Sequence, residues 1–261
     1  MLITSKDNEF IKHVKKLKEK KYRDEYSEFI IEGAKMIAEA IQEKAEIKNI
    51  IICDDCKTDS TISQDLLYEI AKYECVYVTE KIFVLISDVS SPQGIMAIVE
   101  KPKQNEIKID YKANHFLILD NIQDPGNMGT ILRTADSLAM KQIIVSNGTA
   151  DCYNSKVVRS TMGAIFRVNV IECDLEKVVK EMKKHNIKVY ATDLKTDKTI
   201  YDVNYDKSAI IIGNEANGVS QNILELADER IKIPMKGKTE SLNAAVATGI
   251  ILYEANRSSK M

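Results

Sequence analysis

Residues 115–137 read HFLILDNIQDPGNMGTILRTADS. The opening run HFLILD (115–120) is continuously apolar up to Asp120, the pattern of a strand covered on both faces, as in a parallel sheet. A polar turn with Pro125 and Gly126 follows, and a helix is expected from about Asn127. Ile131, Leu132, Ala135 and Leu138 recur at helical spacing and form its packing face. The same alternation continues downstream. Strand-like runs recur at QIIVS (142–146), FRVNVIE (166–172), KVYATD (188–193), SAIIIG (208–213) and RIKIP (230–234). Helical patterns separate most of them, whereas 194–207 reads as a polar connection. The pattern predicts an α/β domain built on a six-stranded, mostly parallel sheet.

Upstream, residues 1 to about 100 predict a smaller α/β domain. A charged helix is expected over 5–23, then the strand FIIEG (29–33), a helix from Ala34 to Gln42, the strand IKNIIICD, a helix near 64–73, and the strands CVYVT (75–79) and GIMAIVE (94–100). The polar stretch KPKQNEIKIDYK (101–112) reads as a linker, which divides the chain into domains 1–106 and 107–261. The whole chain of 261 residues is 44% apolar and 29% charged, an ordinary composition for a soluble globular protein. No apolar run approaches the roughly 20 residues of a membrane helix, and the start lacks a signal-peptide core, so a cytoplasmic location is expected. Five cysteines argue against a disulfide framework. Cys53 and Cys56 form a CxxC with no second ligand pair, so plain thiols and no metal are expected.

A net charge of -2 excludes a globally basic nucleic-acid binder, but the charge is unevenly distributed. Residues 11–23 (IKHVKKLKEKKYR) carry seven Lys or Arg against one Glu. Such a helix can follow a phosphate backbone or be a solvated face, and charge alone leaves both open.

Open parallel sheets bind ligands beyond the carboxyl ends of their strands, and three stretches there are rich in Gly, Asn and Pro. In the first, Arg133 stands off the apolar face of its helix, either free for a ligand or paired with Asp136 or Asp124. The second, IIIGNEANGVS (210–220), turns through Gly213, Asn214, Glu215 and Gly218 before a helix with Ser220 near its start. It lacks a Walker lysine and a G-x-G-x-x-G, and Glu215 would repel phosphate, so a neutral or cationic ligand is expected. In the third, IPMKGKTESLNAAVATGIILYEA (233–255), Ser241 is the expected cap of a long apolar helix and Asn243 sits in its first turn. Asn is a poor helix former, so its position calls for a reason.

Together the three motifs resemble the SpoU (TrmH) family of RNA ribose 2′-O-methyltransferases of the SPOUT class. They correspond to N-x-G-x-x-x-R (Asn127, Gly129, Arg133), G-x-E-x-x-G (Gly213, Glu215, Gly218) and I-P-M-x-G…S-L-N (Ile233, Pro234, Met235, Gly237, Ser241, Leu242, Asn243). SKVVRSTMGAIF (155–166), FIIEG and SPQGIMAIV (91–99) extend the resemblance over nearly the whole chain.

The resemblance implies a trefoil knot in the C-terminal half, a homodimer, and an N-terminal RNA-binding domain of ribosomal-protein-like fold. It implies S-adenosylmethionine held around Gly213, Asn214, Glu215, Gly218, Ile233, Met235, Ser241, Leu242 and Asn243, with Thr192 in the same set. The reaction implied is methyl transfer to a ribose 2′-hydroxyl, of ribosomal RNA in preference to tRNA. A non-catalytic RNA-binding or ribosome-assembly factor on the same fold is the alternative. Arg133 is expected to bind phosphate and stabilise developing alkoxide, because guanidinium is effectively always protonated. Asn127, Ser241 and Asn243 are then positioning groups, and Glu215 holds Arg133 or attracts the cationic cofactor. Lys12, Lys15, Lys16, Arg23, Lys156 and Arg159 are the further RNA-contact candidates.

Overall fold

A computed structural model describes residues 2–54, 62–102 and 108–258. Cys56 and the boundary expected at 106/107 lie outside the described residues. The chain divides into two compact units, one of residues 1–103 with 153–166, the other of 104–152 with 167–261.

The first unit runs β1 (Leu2–Ile3), α1 (Glu9–Lys16), α2 (Lys20–Tyr26), β2 (Glu28–Glu32), α3 (Ala34–Gln42), β3 (Ile47–Cys53), α4 (Gln64–Ile70), β4 (Cys75–Val78), α5 (Glu80–Ile86) and β5 (Ile95–Glu100). Its sheet has the order β1-β4-β3-β5-β2, parallel from β1 to β3 and antiparallel from β3 to β2. Ile11, Val14 and Leu17 bury one stripe against Ile51, Val78, Phe83 and Met96.

The helix expected over 5–23 is instead two. Arg23 is buried, and its Nη1 donates to the carbonyls of Leu17 (2.8 Å) and Lys18 (2.7 Å), which directly follow α1. Cys53, expected as a plain thiol, is disulfide-bonded. Cys75, Cys152 and Cys173 are in no disulfide.

The second unit contains β6 (His115–Asp120), α6 (Pro125–Ser137) and β7 (Gln142–Ser146). The chain then passes into the first unit as α7 (Ser155–Thr161) and a 3-10 turn (Ala164–Phe166), and returns as β8 (Asn169–Cys173), α8 (Leu175–Lys184), β9 (Lys188–Thr192), β10 (Ser208–Gly213), α9 (Gln221–Leu226), β11 (Glu229–Ile231) and α10 (Ala244–Ser258). Residues 153–166 thus depart from the single domain expected over 107–261. Val157, Val158 and Ile165 are buried, and the Phe29 ring lies 4.8 Å from Tyr153 and 6.4 Å from Phe166. Burial of that apolar surface outweighs chain proximity.

The six strands expected in this unit form one sheet, in the order β11-β9-β10-β6-β7-β8, and every pairing is parallel. The continuous apolar runs therefore occupy the centre: β10 is buried throughout, and β6 from Phe116 onward. Two ends move inward from the expected runs: β8 starts at Asn169 after the 3-10 turn, and β11 stops at Ile231, ahead of Pro234. Among the described residues no helix is long and apolar enough to cross a membrane.

Candidate functional site

At the carboxyl edge of the central strands, Gly213 stands in register with Asp120. The Asp120 carboxylate accepts hydrogen bonds from the backbone N–H (2.8 Å) and hydroxyl (2.6 Å) of Ser220, the residue preceding α9. Between Gly213 and Ser220 the chain closes a tight turn, with Asn214 and Gly218 exchanging N–H···O bonds of 3.0 and 2.9 Å. Asn214 anchors this turn to the end of β6: Nδ2 donates to the Asn121 carbonyl (2.8 Å), and Oδ1 accepts from the N–H of Ala216 and Asn217. A Cβ on Gly213 would lie 2.0 Å from backbone atoms of Gly218 and Val219, so only glycine fits there.

Glu215 leaves this turn for α6. Its carboxylate accepts from the backbone N–H of Gln123 and Asp124, both 3.2 Å, and from Asn127 Nδ2 at 2.8 Å. The side-chain oxygen of Asn127 accepts from Asn243 Nδ2 at 2.8 Å. Asn243 Oδ1 in turn accepts from the N–H of Ala245 (3.0 Å) and Val246 (3.2 Å), capping α10. The relay Glu215–Asn127–Asn243 thus ties the three motifs together and supplies the reason for an asparagine at 243. Ser241, the expected cap, is exposed and lies three residues before the first residue of α10.

Helices α6 and α10 run side by side in the same direction. Asn127 meets Asn243, a Cβ on Gly249 would sit 3.8 Å from Thr134 Cγ2, and Ser137 Oγ lies 3.2 Å from the Tyr253 hydroxyl, a nearly constant sequence offset.

Partial burial works to raise the Glu215 carboxyl, but the hydrogen bonds from Asn127 and the backbone N–H groups outweigh it and hold the group below its usual range. A depressed folded-state value means a stabilisation fully present above the ordinary value of 4.5 and lost as the pH falls through the folded value. Glu215→Gln is expected to cost about 1 kcal/mol near neutral pH, because its NH2 must face a backbone donor. Urea unfolding at several pH values should show the difference from wild type shrinking in acid below 4.5; a constant difference would refute a role for the charge.

Arg133 is exposed on α6 and makes no hydrogen bond or ion pair among the described residues. The carboxylates that were its alternative partners are engaged elsewhere: Asp136 with Arg167 (3.0 Å), and Asp124 with the N–H of Asn127 (2.8 Å). Glu215, expected to hold Arg133 or to attract the cationic cofactor, bonds Asn127 and the backbone and not Arg133. Residues 233–242, which include Ile233, Met235, Ser241 and Leu242, likewise make no hydrogen bond among the described residues. The Thr192 hydroxyl bonds the Ile211 carbonyl at 3.1 Å.

Sequence reasoning missed Asp120 and Ser220. Asp120 was legible only as a strand end, although an acidic residue closing an apolar run was the available signal.

In the first unit, Lys12, Lys15 and Lys16 are exposed on α1 and Lys156 on α7, and Lys12 bonds Glu9 at 2.7 Å. Arg23, expected among the RNA contacts, is withdrawn from the surface by its two carbonyl bonds. Arg159 is half-buried and lines a small cavity with Glu32 and Asp88. Among the described residues no cluster of His, Cys, Asp or Glu is arranged to hold a metal.

Residues 114–253 match the model of the SpoU rRNA methylase family, more than half of the chain. The chain belongs to the SpoU rRNA methylase family. Residues 8–97 match an MRM3-like substrate binding domain. Among SpoU relatives, the 23S rRNA (guanosine(2553)-2′-O)-methyltransferase RlmP of Bacillus subtilis is 33% identical over 96% of this chain and 97% of its own. The 23S rRNA (uridine(2479)-2′-O)-methyltransferase of Streptomyces viridochromogenes is 28% identical over 98% of this chain and 91% of its own. The AdoMet-bound rRNA methyltransferase of Sinorhizobium meliloti superposes with a TM-score of 0.85 at 28% identity, covering 98% of this chain and 97% of that one. The matched span includes Asn127, Glu215 and Asn243, which the hydrogen-bond relay unites.

Proposed function

We propose that this SpoU protein transfers a methyl group from S-adenosylmethionine to a ribose 2′-hydroxyl of RNA, with ribosomal RNA as the substrate. One observation carries the reading: Asn127 bonds both Glu215 and Asn243, while Arg133 on the same helix as Asn127 is left uncommitted.

The cofactor fits the residues present. A ten-residue segment, 233–242, keeps its backbone donors and acceptors uncommitted, and Gly237 and Gly218 present no Cβ. Such groups suit a purine and an amino-acid moiety recognised through the main chain. When bound, the cofactor supplies a methyl group activated by a sulfonium. Arg133 binds the phosphate beside the target ribose and stabilises negative charge developing on the 2′-oxygen as its proton leaves. A permanently protonated guanidinium serves this electrostatic role and not that of a base. Asn127 and Asn243 fix the start of α10 relative to Arg133, so the attacking oxygen meets a preorganised site.

Isothermal titration with S-adenosylmethionine tests the reading. Saturable binding of one cofactor per subunit is expected, lost in Leu242→Asp, where a carboxylate replaces an exposed apolar side chain of the uncommitted segment. No binding by the wild type at millimolar cofactor would overturn the proposal.

The 23S rRNA relatives also support a cytoplasmic location, and family membership supports the trefoil knot. A homodimer is supported by α10, whose Val246 (52%), Ile250 (38%) and Tyr253 (54%) expose an apolar stripe at helical spacing. Sedimentation is expected to give a dimer for the wild type and a monomer for Ile250→Glu; a monomeric wild type would refute the pairing.

A further inference from the structure

The corner between α1 and α2 of the first unit holds an aromatic ladder inside a field of lysines. His13 on α1 packs edge-on against Tyr26, with centroids 4.7 Å apart at 66°, and Tyr26 lies nearly parallel to Tyr22, at 6.2 Å and 13°. The inner end is anchored, since His13 Nε2 lies 2.6 Å from the carboxylate of the buried Glu28. The corner itself is anchored by the buried Arg23, whose guanidinium bonds the Leu17 and Lys18 carbonyls just after α1. A continuous helix over 5–23 would have turned Tyr22 by a different angle from His13, and the ladder would not form.

The outer end of the ladder is Tyr22, and the ammonium groups of Lys16 and Lys21 stand 5.4 and 5.5 Å from its ring centroid. Both lysines are exposed, as is Lys15. None of the three has an ion-pair partner among the described residues. This local excess of positive charge belongs to a sequence region, 1–106, with 20 acidic and 16 basic side chains. An acidic partner would be repelled elsewhere on the unit and attracted here.

From this geometry we propose that the α1–α2 corner binds an unpaired stretch of RNA, with one base stacked on Tyr22 and the flanking phosphates on Lys15, Lys16 and Lys21. The inference rests on the proposed reaction at RNA and deepens it by naming the strand state that the first unit selects. A duplex offers its phosphates but no free base face, so it engages the lysines alone. A single strand offers both, and stacking on an aromatic ring adds affinity without demanding a particular base. The lysines reach from the ring to the backbone on flexible stems, so the cation contacts that occupy Tyr22 in the free protein exchange for phosphate contacts.

Fluorescence anisotropy of the full chain with labelled decauridylate, and with an RNA duplex of equal length, tests this. Tyr22→Ala is expected to weaken decauridylate binding about tenfold, to leave its salt dependence unchanged, and to leave duplex binding within twofold. Tyr22→Phe, which keeps the ring, is expected to retain wild-type affinity and separates stacking from loss of fold. The double variant Lys15→Gln/Lys16→Gln is expected to flatten the slope of log K against log salt by about 1.4 for decauridylate. Equal affinity of wild type and Tyr22→Ala for decauridylate would overturn the stacking site. An equal loss on both probes would overturn it as well, by showing a purely electrostatic or folding effect. Cofactor titration on the same samples keeps the two proposals apart: intact S-adenosylmethionine binding with no Tyr22 effect removes this inference alone, whereas absent cofactor binding with a clear Tyr22 effect removes the methyl transfer and leaves the RNA site standing.

Discussion

Gly213→Ala is expected to destabilise the second unit by more than about 3 kcal/mol, enough to prevent its folding in many conditions. The added methyl would meet the Gly218 carbonyl carbon and the Val219 nitrogen at 2.0 Å and the Gly218 oxygen at 2.4 Å. These are backbone atoms of a turn closed by the Asn214–Gly218 bonds and held by Asp120 at Ser220, so no side chain can swing aside. Relief requires opening the turn, which would expose the end of a fully buried strand. Urea unfolding monitored by circular dichroism checks the effect, with Gly237→Ala as the control. A Cβ at Gly237 meets nothing within 4 Å, so that variant should remain within about 0.5 kcal/mol of wild type. A Gly213→Ala protein of wild-type stability would show that the turn is not closed as described.

Arg133→Ala is expected to lower kcat for methyl transfer by roughly a hundred- to a thousandfold, the cost of removing one preorganised charge partner of a developing oxyanion. Its side chain makes no hydrogen bond or ion pair with the relay residues, so S-adenosylmethionine affinity and thermal stability should stay near wild type. Arg133→Lys is expected to restore only a small part, because a point-charge ammonium does not reproduce the planar two-pronged grip on phosphate. Incorporation of labelled methyl into ribosomal RNA under saturating cofactor measures it. Wild-type turnover in Arg133→Ala would remove Arg133 from the reaction, and a parallel loss of cofactor binding would make its role structural.

Much of the architecture was legible because it rests on short-range patterns. The central strands of the second sheet are runs such as FLIL and AIIIG, and a run apolar on both faces has few places to go but the middle of a parallel sheet. Helix α6 starts at Pro125, slightly ahead of the Asn127 that the apolar spacing alone suggests, because Asp124 caps it and Pro125 occupies its first turn. Elsewhere a distant side chain overrode the local pattern. The basic segment 5–23 has helical character throughout, yet Arg23 reaches back to the carbonyls of Leu17 and Lys18 and breaks it. Ser241 has the residue type of a cap, but Asn243 takes that position because Asn127 is there to hold its other end.

The sequence by itself determined the α/β class, the central strands and the three glycine- and asparagine-bearing motifs, since these follow from hydropathy and backbone preference over a few residues. Only the tertiary structure decided that Glu215 serves Asn127 and the backbone and not Arg133, that Asn127 and Asn243 meet across 116 residues of chain, and that residues 153–166 join the first unit. Hydrogen-bond partners and buried faces between distant segments are chosen by the packing of the whole chain, where a buried polar group must find a donor or acceptor, and no local pattern encodes which one it finds.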